Sequence, residues 1–146
     1  MRPTIYHTYA TIVTALGERS TCSARAKVGA LLYDNEYRII SSGYNGSPFG
    51  FDHCDDVGCN LDKNGHCQNV IHAEENALLQ CAVVGRSTRG LRLFTTHSPC
   101  WRCMLRLTQA EIAEVVYMLP YGSLVSEVIW EFTKHHISIS QFIGEK

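Results

Sequence analysis

The chain has 146 residues, 45% of them hydrophobic and 10% aromatic, which is enough to bury the core of one ordinary domain. Its 13 basic and 14 acidic residues nearly cancel, so it lacks the positive excess of proteins that track polymeric nucleic acid. It also lacks an apolar run long enough for a membrane span or a signal peptide. We therefore expect one domain over residues 1–146, located in the cytoplasm, whose partner is a small molecule rather than nucleic acid or a membrane.

The N-terminal part of the chain predicts one helix followed by a hairpin of two strands. Apolar residues recur at helical spacing over residues 5–16, and the pattern stops near Gly17. Residues 28–33 and 38–44 are rich in β-forming residues, and a polar turn at 34–36 separates them. The helix is expected to bury one apolar face.

Residues 45–71 show no sustained periodicity, and a loop of this length in a small domain is either functional or disordered. Helices and strands then alternate. We predict helix 73–84, strand 91–96, helix 100–110, strand 115–119, a helix containing Leu124, Val128, Ile129 and Phe132, and a short strand 137–143. Such alternation requires crossover connections and therefore largely parallel strands. The prediction is an α/β fold of three layers, α/β/α, with a mixed five-stranded sheet.

Cysteine usage points to metal binding rather than to disulfides. The seven cysteines lie at positions 22, 54, 59, 67, 81, 100 and 103. An odd number in a chain without an export signal favours thiolates that bind metal, or thiols that are simply buried. Cys81 falls among apolar residues of the predicted helix 73–84, so we expect it to pack in the core.

Two cysteines and one histidine stand at the starts of predicted helices. Pro99 suits the first turn of a helix, and Cys100 and Cys103 are three residues apart, so both can point at one atom. A helix N-terminus also lowers the pKa of a thiol and favours the thiolate. His72 opens the preceding helix, and the single crossover between the two helices can bring both starts to the same edge of the sheet. These three side chains form a candidate metal site.

Zinc suits one imidazole and two thiolates, and three protein ligands leave a fourth position for water. Such an open site implies catalysis. Glu74, two residues after His72, would lie near the metal without binding it and could take a proton from that water. Glu75 is expected to be a solvated acid of the first helical turn. Cys-x-x-Cys alone also occurs in redox pairs and in structural zinc sites.

His-x-Glu followed by Pro-Cys-x-x-Cys is the signature of zinc deaminases that act on nucleobases. On these residues the chain resembles the cytidine and deoxycytidylate deaminase family over nearly its whole length. The runs Lys-Val-Gly-Ala at 27–30 and Gly-Tyr-Asn-Gly-Ser-Pro at 43–48 look like the first-strand and loop motifs of dCMP deaminases. The cysteines and histidines within 52–67 are similar to the phage and bacterial late-competence branches. The resemblance implies a cytidine-deaminase-like fold with catalytic Zn²⁺ at His72, Cys100 and Cys103.

The resemblance also implies a reaction and a set of substrate contacts. The reaction is hydrolytic deamination of dCMP to dUMP and ammonia, which supplies thymidylate synthesis, with Glu74 carrying protons. The candidate contacts are Ser23, Arg25 and Lys27 for the 5′-phosphate, Asn45 for the sugar or base, and Ala73 and Tyr121. Arg25 and Lys27 are equally interpreted as a solvated strand edge, and Tyr121 as a half-buried turn residue.

Other functions share the same signature. A deaminase of another cytosine nucleoside or nucleotide remains open. A tRNA adenosine deaminase would need a positive surface for the anticodon arm, which the near-neutral composition disfavours. A zinc-binding module without catalysis would leave Glu74 without a role.

The long loop predicts a second metal. Cys22, Cys54, Cys59 and Cys67 are the candidate ligands, with His53 or His66 as substitutes. These groups collect where apolar anchors are missing, and a metal can offset the entropy of closing a loop. We expect a second, structural Zn²⁺ there.

The resemblance to dCMP deaminases further implies regulation. In that family dCTP activates and dTTP inhibits, in a hexamer, with Mg²⁺ accompanying the triphosphate. The candidate regulatory residues are Gly43, Tyr44, Asn45, Gly46 and Phe49, with Phe51 nearby. Glycines allow close approach of the backbone to phosphate, and the aromatic rings offer surface for a base or a neighbouring subunit. The alternative is a glycine-rich turn that merely packs.

Overall fold

The structure is a computed structural model and describes residues 1–22, 24–123 and 125–144. Its helices are α1 (Ile5–Gly17), α2 (Cys54–Val57), α3 (Ala73–Val84), α4 (Trp101–Gln109) and α5 (Val125–Lys134). Its strands are β1 (Gly29–Tyr33), β2 (Ile39–Tyr44), β3 (Arg92–His97), β4 (Glu114–Leu119) and β5 (Ser138–Gln141). Every predicted element is confirmed to within a few residues, whereas α2, inside the loop 45–71, was missed. Leu124, expected in the last helix, lies outside the described residues.

The five strands form one mixed sheet in the order β2-β1-β3-β4-β5. β1 is antiparallel to both β2 and β3, and β3, β4 and β5 are parallel to one another. The hairpin turn between β1 and β2 is fixed by Asp34, whose Oδ1 accepts the amides of Glu36 and Arg38, both at 2.9 Å. The predicted combination of hairpin and crossovers is confirmed.

Helices cover both faces of the sheet, which confirms the three layers. On one face α1 packs Tyr9 and Val13 against the inward side chains of β1, β3 and β4. On the other face α3, α4 and α5 share a second core with Leu32 and Leu93. Cys81 is fully buried in this second core, as expected. Among the described residues, every helix is too short or too polar to cross a lipid bilayer.

Two close contacts fix where α3 begins. A Cβ on Gly43 of β2 would lie 2.6 Å from the carbonyl oxygen of Ala73, so only glycine allows the strand to approach the first turn of α3 this closely. Gly46 and Ile71 exchange backbone hydrogen bonds of 3.1 and 2.9 Å. The two ends of the long loop are therefore joined immediately before His72.

Candidate metal centre and nucleotide site

The structure brings His72, Cys100 and Cys103 together at the starts of two helices. His72 is the N-cap of α3, and Cys100 is the N-cap of α4, where its Sγ accepts the amide of Cys103. The Nδ1 atom of His72 lies 3.5 Å from Cys100 Sγ and 3.4 Å from Cys103 Sγ. All three ligand atoms lie within 4.8 Å of one another. One imidazole nitrogen and two sulfurs at this separation suit zinc.

The contacts within this cluster favour the metal-binding form of Cys100 alone, because the raised pKa values of Cys103 and His72 favour their protonated forms. The hydrogen bond from the Cys103 thiol lowers the pKa of Cys100 to about 4, and the same contact raises the pKa of Cys103. The hydrogen bond to Cys100 is the main cause that raises the pKa of His72. A thiolate is therefore stabilised at Cys100 even before a cation is considered.

Glu74 lies beside this cluster in the first turn of α3. Its side chain is buried, with 4% of the residue exposed. Burial raises the pKa of the Glu74 carboxyl, which also contacts the Cys103 thiol. Thr95 Oγ1 donates to Glu74 Oε1 at 3.5 Å. A carboxyl that can hold a proton nearer to neutral pH can take up and return protons during a reaction.

The expectation that Glu75 lies in the first turn of α3 is confirmed, whereas the expectation that it is solvated was wrong. Its carboxylate is not simply solvated, because Oε1 lies 2.6 Å from Nε of Arg106 on α4, and only 22% of the Glu75 side chain is exposed. The partner could not be identified from spacing, since the two residues are 31 positions apart. This ion pair joins the two helices that carry the candidate metal ligands.

Asn45 and Ala73, both predicted to contact the substrate, are buried. Asn45 is buried, and its side chain holds the backbone before β1, accepting from the amide of Val28 at 2.8 Å and donating to the carbonyl of Ala26 at 2.9 Å. Ala73 is fully buried as the first residue of α3. In this conformation Asn45 positions the chain that leads into β1.

Two of the three candidate phosphate ligands, Lys27 and Arg25, have other partners in this structure. Lys27 Nζ lies 3.1 Å from Glu18 Oε2 on the surface. Arg25 is partly buried and donates to the carbonyl of Gly65 in the long loop. Ser23 lies outside the described residues. Their assignment to a phosphate is untested and stays a prediction.

The polar residues at the end of β3 were missed by the sequence analysis. His97 packs edge-on against Tyr121, with ring centroids 5.6 Å apart, and Ser98 Oγ accepts the Tyr121 amide at 2.8 Å. Tyr121 is thereby held beside the β3–α4 connection while 47% of it stays exposed. The polar run 95–98 at the carboxyl end of a buried strand was the available signal, because such ends border ligand sites in α/β folds.

A second cysteine cluster closes the long loop. Cys22 and Cys59 have their sulfurs 3.4 Å apart, and Cys54 and Cys67 have theirs 3.6 Å apart. Cys22, Cys54 and Cys59 also place their sulfurs within 4.8 Å of one another. The four predicted cysteines are therefore brought together. The two alternative ligands, His53 and His66, are exposed and lie near the carboxylates of Asp56 and Asp62.

Four of the five candidate regulatory residues, Gly43, Tyr44, Gly46 and Phe49, line a groove of about 1120 Å³ between β2, the end of α1, α3 and the loop, and Asn45 is not among its lining residues. Phe49 and Phe51 are exposed at its rim, and Arg19 contributes a positive charge. The backbone amides of Asn45 and Gly46 are bonded to the carbonyls of Val28 and Ile71. Gly43 serves the contact with α3. The glycines therefore have a packing role, and the groove itself is the feature that a ligand could use.

Comparisons with known proteins relate most of the chain to one family. The family described as "Cytidine and deoxycytidylate deaminase zinc-binding region" matches residues 3–119. ComE operon protein 2 of Bacillus subtilis is 45% identical over 106 residues, which cover 73% of this chain and 54% of that protein. Deoxycytidylate deaminase of Saccharomyces cerevisiae is 35% identical over 126 residues, covering 83% of this chain and 39% of the yeast protein. The chain thus spans little more than half of the first relative and less than half of the second.

Solved structures of a phage enzyme match at nearly full length on both sides, and one of them contains nucleotides. It is the crystal structure of dCMP deaminase from the cyanophage S-TIM5 in complex with dCMP and dUMP. The two chains superpose with a TM-score of 0.81 at 31% sequence identity, over 97% of this chain and 99% of that chain.

Proposed function

The chain belongs to the cytidine and deoxycytidylate deaminase family, and from this premise we propose that it hydrolyses dCMP to dUMP and ammonia. The observation that carries the proposal is the convergence of His72, Cys100 and Cys103 beside the buried carboxyl of Glu74. The full-length match to a phage dCMP deaminase favours dCMP over other cytosine compounds.

His72, Cys100 and Cys103 would hold Zn²⁺, which when bound lowers the pKa of a water molecule and so supplies a nucleophile near neutral pH. Glu74 accepts a proton from the attacking water and passes it to N3 of the base, which makes C4 more electrophilic. Glu74 then takes the proton of the hydroxyl added at C4 and delivers it to the amino group, so that the C4–N bond breaks, ammonia leaves and the C4 carbonyl forms. Its burial beside Cys103 keeps these transfers away from bulk solvent.

The remaining residues would hold the nucleotide. Tyr121, fixed by Ser98 and partly exposed, offers a ring at the mouth of the site, and Ala73 lies at its floor. Asn45 supports the sugar or base. We assign the 5′-phosphate to Arg25, Lys27 and Ser23, which requires Lys27 to exchange its exposed partner Glu18 for the phosphate.

A substrate panel tests this function. The zinc-loaded protein is offered cytosine, deoxycytidine, dCMP, dCTP and an RNA stem-loop containing adenosine, and ammonia release is measured. We expect the highest kcat/KM for dCMP. A preference for deoxycytidine would indicate that the phosphate contacts are wrong, whereas release from the RNA alone would replace the assignment with tRNA adenosine deamination.

We further propose that Cys22, Cys54, Cys59 and Cys67 bind a second, structural Zn²⁺. Four thiols converge from separated segments of the chain, and Cys22 and Cys54 are buried. Metal analysis of reduced protein that has not been exposed to a chelator should give two zinc ions per chain. A value of one would remove this site and leave the catalytic assignment intact.

We also propose nucleotide regulation at the groove beside Phe49 and Phe51. The supporting features are its size, its exposed aromatic rim and Arg19, which suit a base and a phosphate with Mg²⁺. The expected behaviour is sigmoidal dCMP kinetics that become hyperbolic with Mg²⁺ and dCTP, inhibition by dTTP, and sedimentation as a hexamer. Hyperbolic kinetics that neither triphosphate alters, from a monomer or dimer, would contradict it.

A further inference from the structure

The ion pair between Glu75 and Arg106 links the two halves of the candidate metal centre. Arg106 Nε lies 2.6 Å from Glu75 Oε1, and Arg106 Nη1 donates to the carbonyl of Arg102 at 3.1 Å within α4. Both carboxylate and guanidinium are largely covered, with side-chain exposures of 22% and 36%. The guanidinium is therefore already oriented by its own helix when it meets the carboxylate of α3.

The position of the pair along each helix is informative. Glu75 follows His72 by three residues, and Arg106 follows Cys103 by three residues. Residues three apart are neighbours on one side of a helix, so each partner stands one turn behind a candidate ligand. Along the chain a strand and two loops separate the helices that His72 and the two cysteines begin, although both helices pack into the same core. A contact one turn behind the ligands thus restrains the spacing between the imidazole and the thiolates.

We propose that Glu75 and Arg106 are positioning residues that act as a clamp, holding α3 and α4 at the separation a metal ion needs at His72, Cys100 and Cys103. This inference rests on the proposed function, because it requires metal at that site. The physical reason is preorganisation: ligands already held at the required distance lose less conformational freedom when the cation binds. Neither residue is assigned as a metal ligand or a substrate contact.

A matched control exists in the same chain. Arg89 Nε and Glu111 Oε2 form an ion pair of 2.7 Å, with the same chemistry and nearly the same length. It joins the loops at the opposite end of β3, away from the metal ligands, and its side chains are 78% and 58% exposed. Alanine variants of each partner, singly and together, are compared between the two pairs.

The measurement is zinc release from the holoprotein to a colorimetric chelator. The kinetic phase of zinc release from the site of His72, Cys100 and Cys103 is the one that is missing in the Cys100→Ser variant. We expect Glu75→Ala and Arg106→Ala each to speed that phase by about 3- to 10-fold, less than the 10- to 100-fold typical of groups bonded directly to a ligand. The double variant should release zinc no faster than the faster of the two single variants, because either substitution alone already removes the ion pair. The Arg89 and Glu111 variants should leave the phase unchanged.

The direction of the two effects separates a clamp from simple electrostatics. If only charge mattered, removing the anion of Glu75 would loosen a bound cation, whereas removing the cation of Arg106 would tighten it. A clamp loosens it in both cases. The visible spectrum of the Co²⁺-substituted protein should change in both variants, which a general loss of stability would not cause. If the Glu75 and Arg106 variants change the rate of zinc release in opposite directions, or if the control variants change it equally, the clamp is overturned and the proposed function stands. If the wild-type protein holds no zinc at His72, both the clamp and the proposed function are overturned.

Discussion

The two cysteine clusters of this chain are built in different ways. Cys100 and Cys103 stand at the start of one helix, and His72 starts another, so regular elements on one sheet hold all three. Cys22, Cys54, Cys59 and Cys67 come from irregular segments and a helix of one turn. The helices that carry the first cluster pack into the hydrophobic core of the sheet. The second cluster lies in a loop with few apolar contacts, so metal binding there would take the place of hydrophobic packing. Metal at the first site would serve chemistry, and metal at the second would serve folding.

The largest effect is expected for a variant at the site of His72, Cys100 and Cys103. Glu74→Gln keeps the size of the side chain but removes its ability to accept a proton, so kcat on dCMP should fall by about 10² to 10⁴. Zinc content should stay as in the wild type, because Glu74 is not assigned as a ligand. Steady-state kinetics and metal analysis of the same preparation make the test. Near-normal kcat in the variant would show that another group carries the protons.

A smaller effect is expected at the second cluster. Cys54→Ser removes a buried thiol from the loop, so the protein should lose one zinc ion, and proteolytic cleavage within residues 45–71 should become about tenfold faster. The global unfolding transition should change less than the cleavage rate. Limited proteolysis followed by mass spectrometry locates the cuts.

Cys81→Ser is the control for this experiment. Cys81 is also buried, but it lies in α3 within the main core and contacts Ser41 Oγ at 3.4 Å. The Cys81→Ser substitution should lower global stability without releasing zinc or making the loop more sensitive to proteolysis. If Cys54→Ser behaved in the same way, the second cluster would be ordinary packing.

The same contrast explains how far the sequence could be interpreted. The His72, Cys100 and Cys103 site was predictable because short spacings on helix starts fix which way side chains point. The four cysteines of the second cluster were predicted from composition. The helix α2, and the way in which the four sulfurs pair, could not be predicted because both depend on long-range closure of the loop. The contact of Glu75 with Arg106 was missed for a related reason, because helix packing across 31 positions leaves no local pattern.

The smallest expected effect compares one turn motif in both regions. Asp34 Oδ1 accepts the amides of Glu36 and Arg38 in the hairpin, and Asp62 Oδ1 accepts those of Asn64 and His66 in the loop. The bond from the Arg38 amide is the main cause that lowers the pKa of Asp34 below 3.8, and the His66 amide does the same for Asp62.

A lowered folded-state pKa has a defined consequence for stability in acid. The contribution of each carboxylate is fully present above its ordinary pKa and is lost as the pH falls through the lower folded-state value. Asp34→Asn should therefore reduce the stability difference between about pH 5 and pH 3, as measured by urea unfolding against wild type. Asp62→Asn should leave that global difference nearly unchanged and instead flatten the pH dependence of proteolysis in the loop, because the loop opens locally. Equal effects of both variants on global unfolding would mean that the loop and the sheet unfold as one unit, with no separate role for the second cluster.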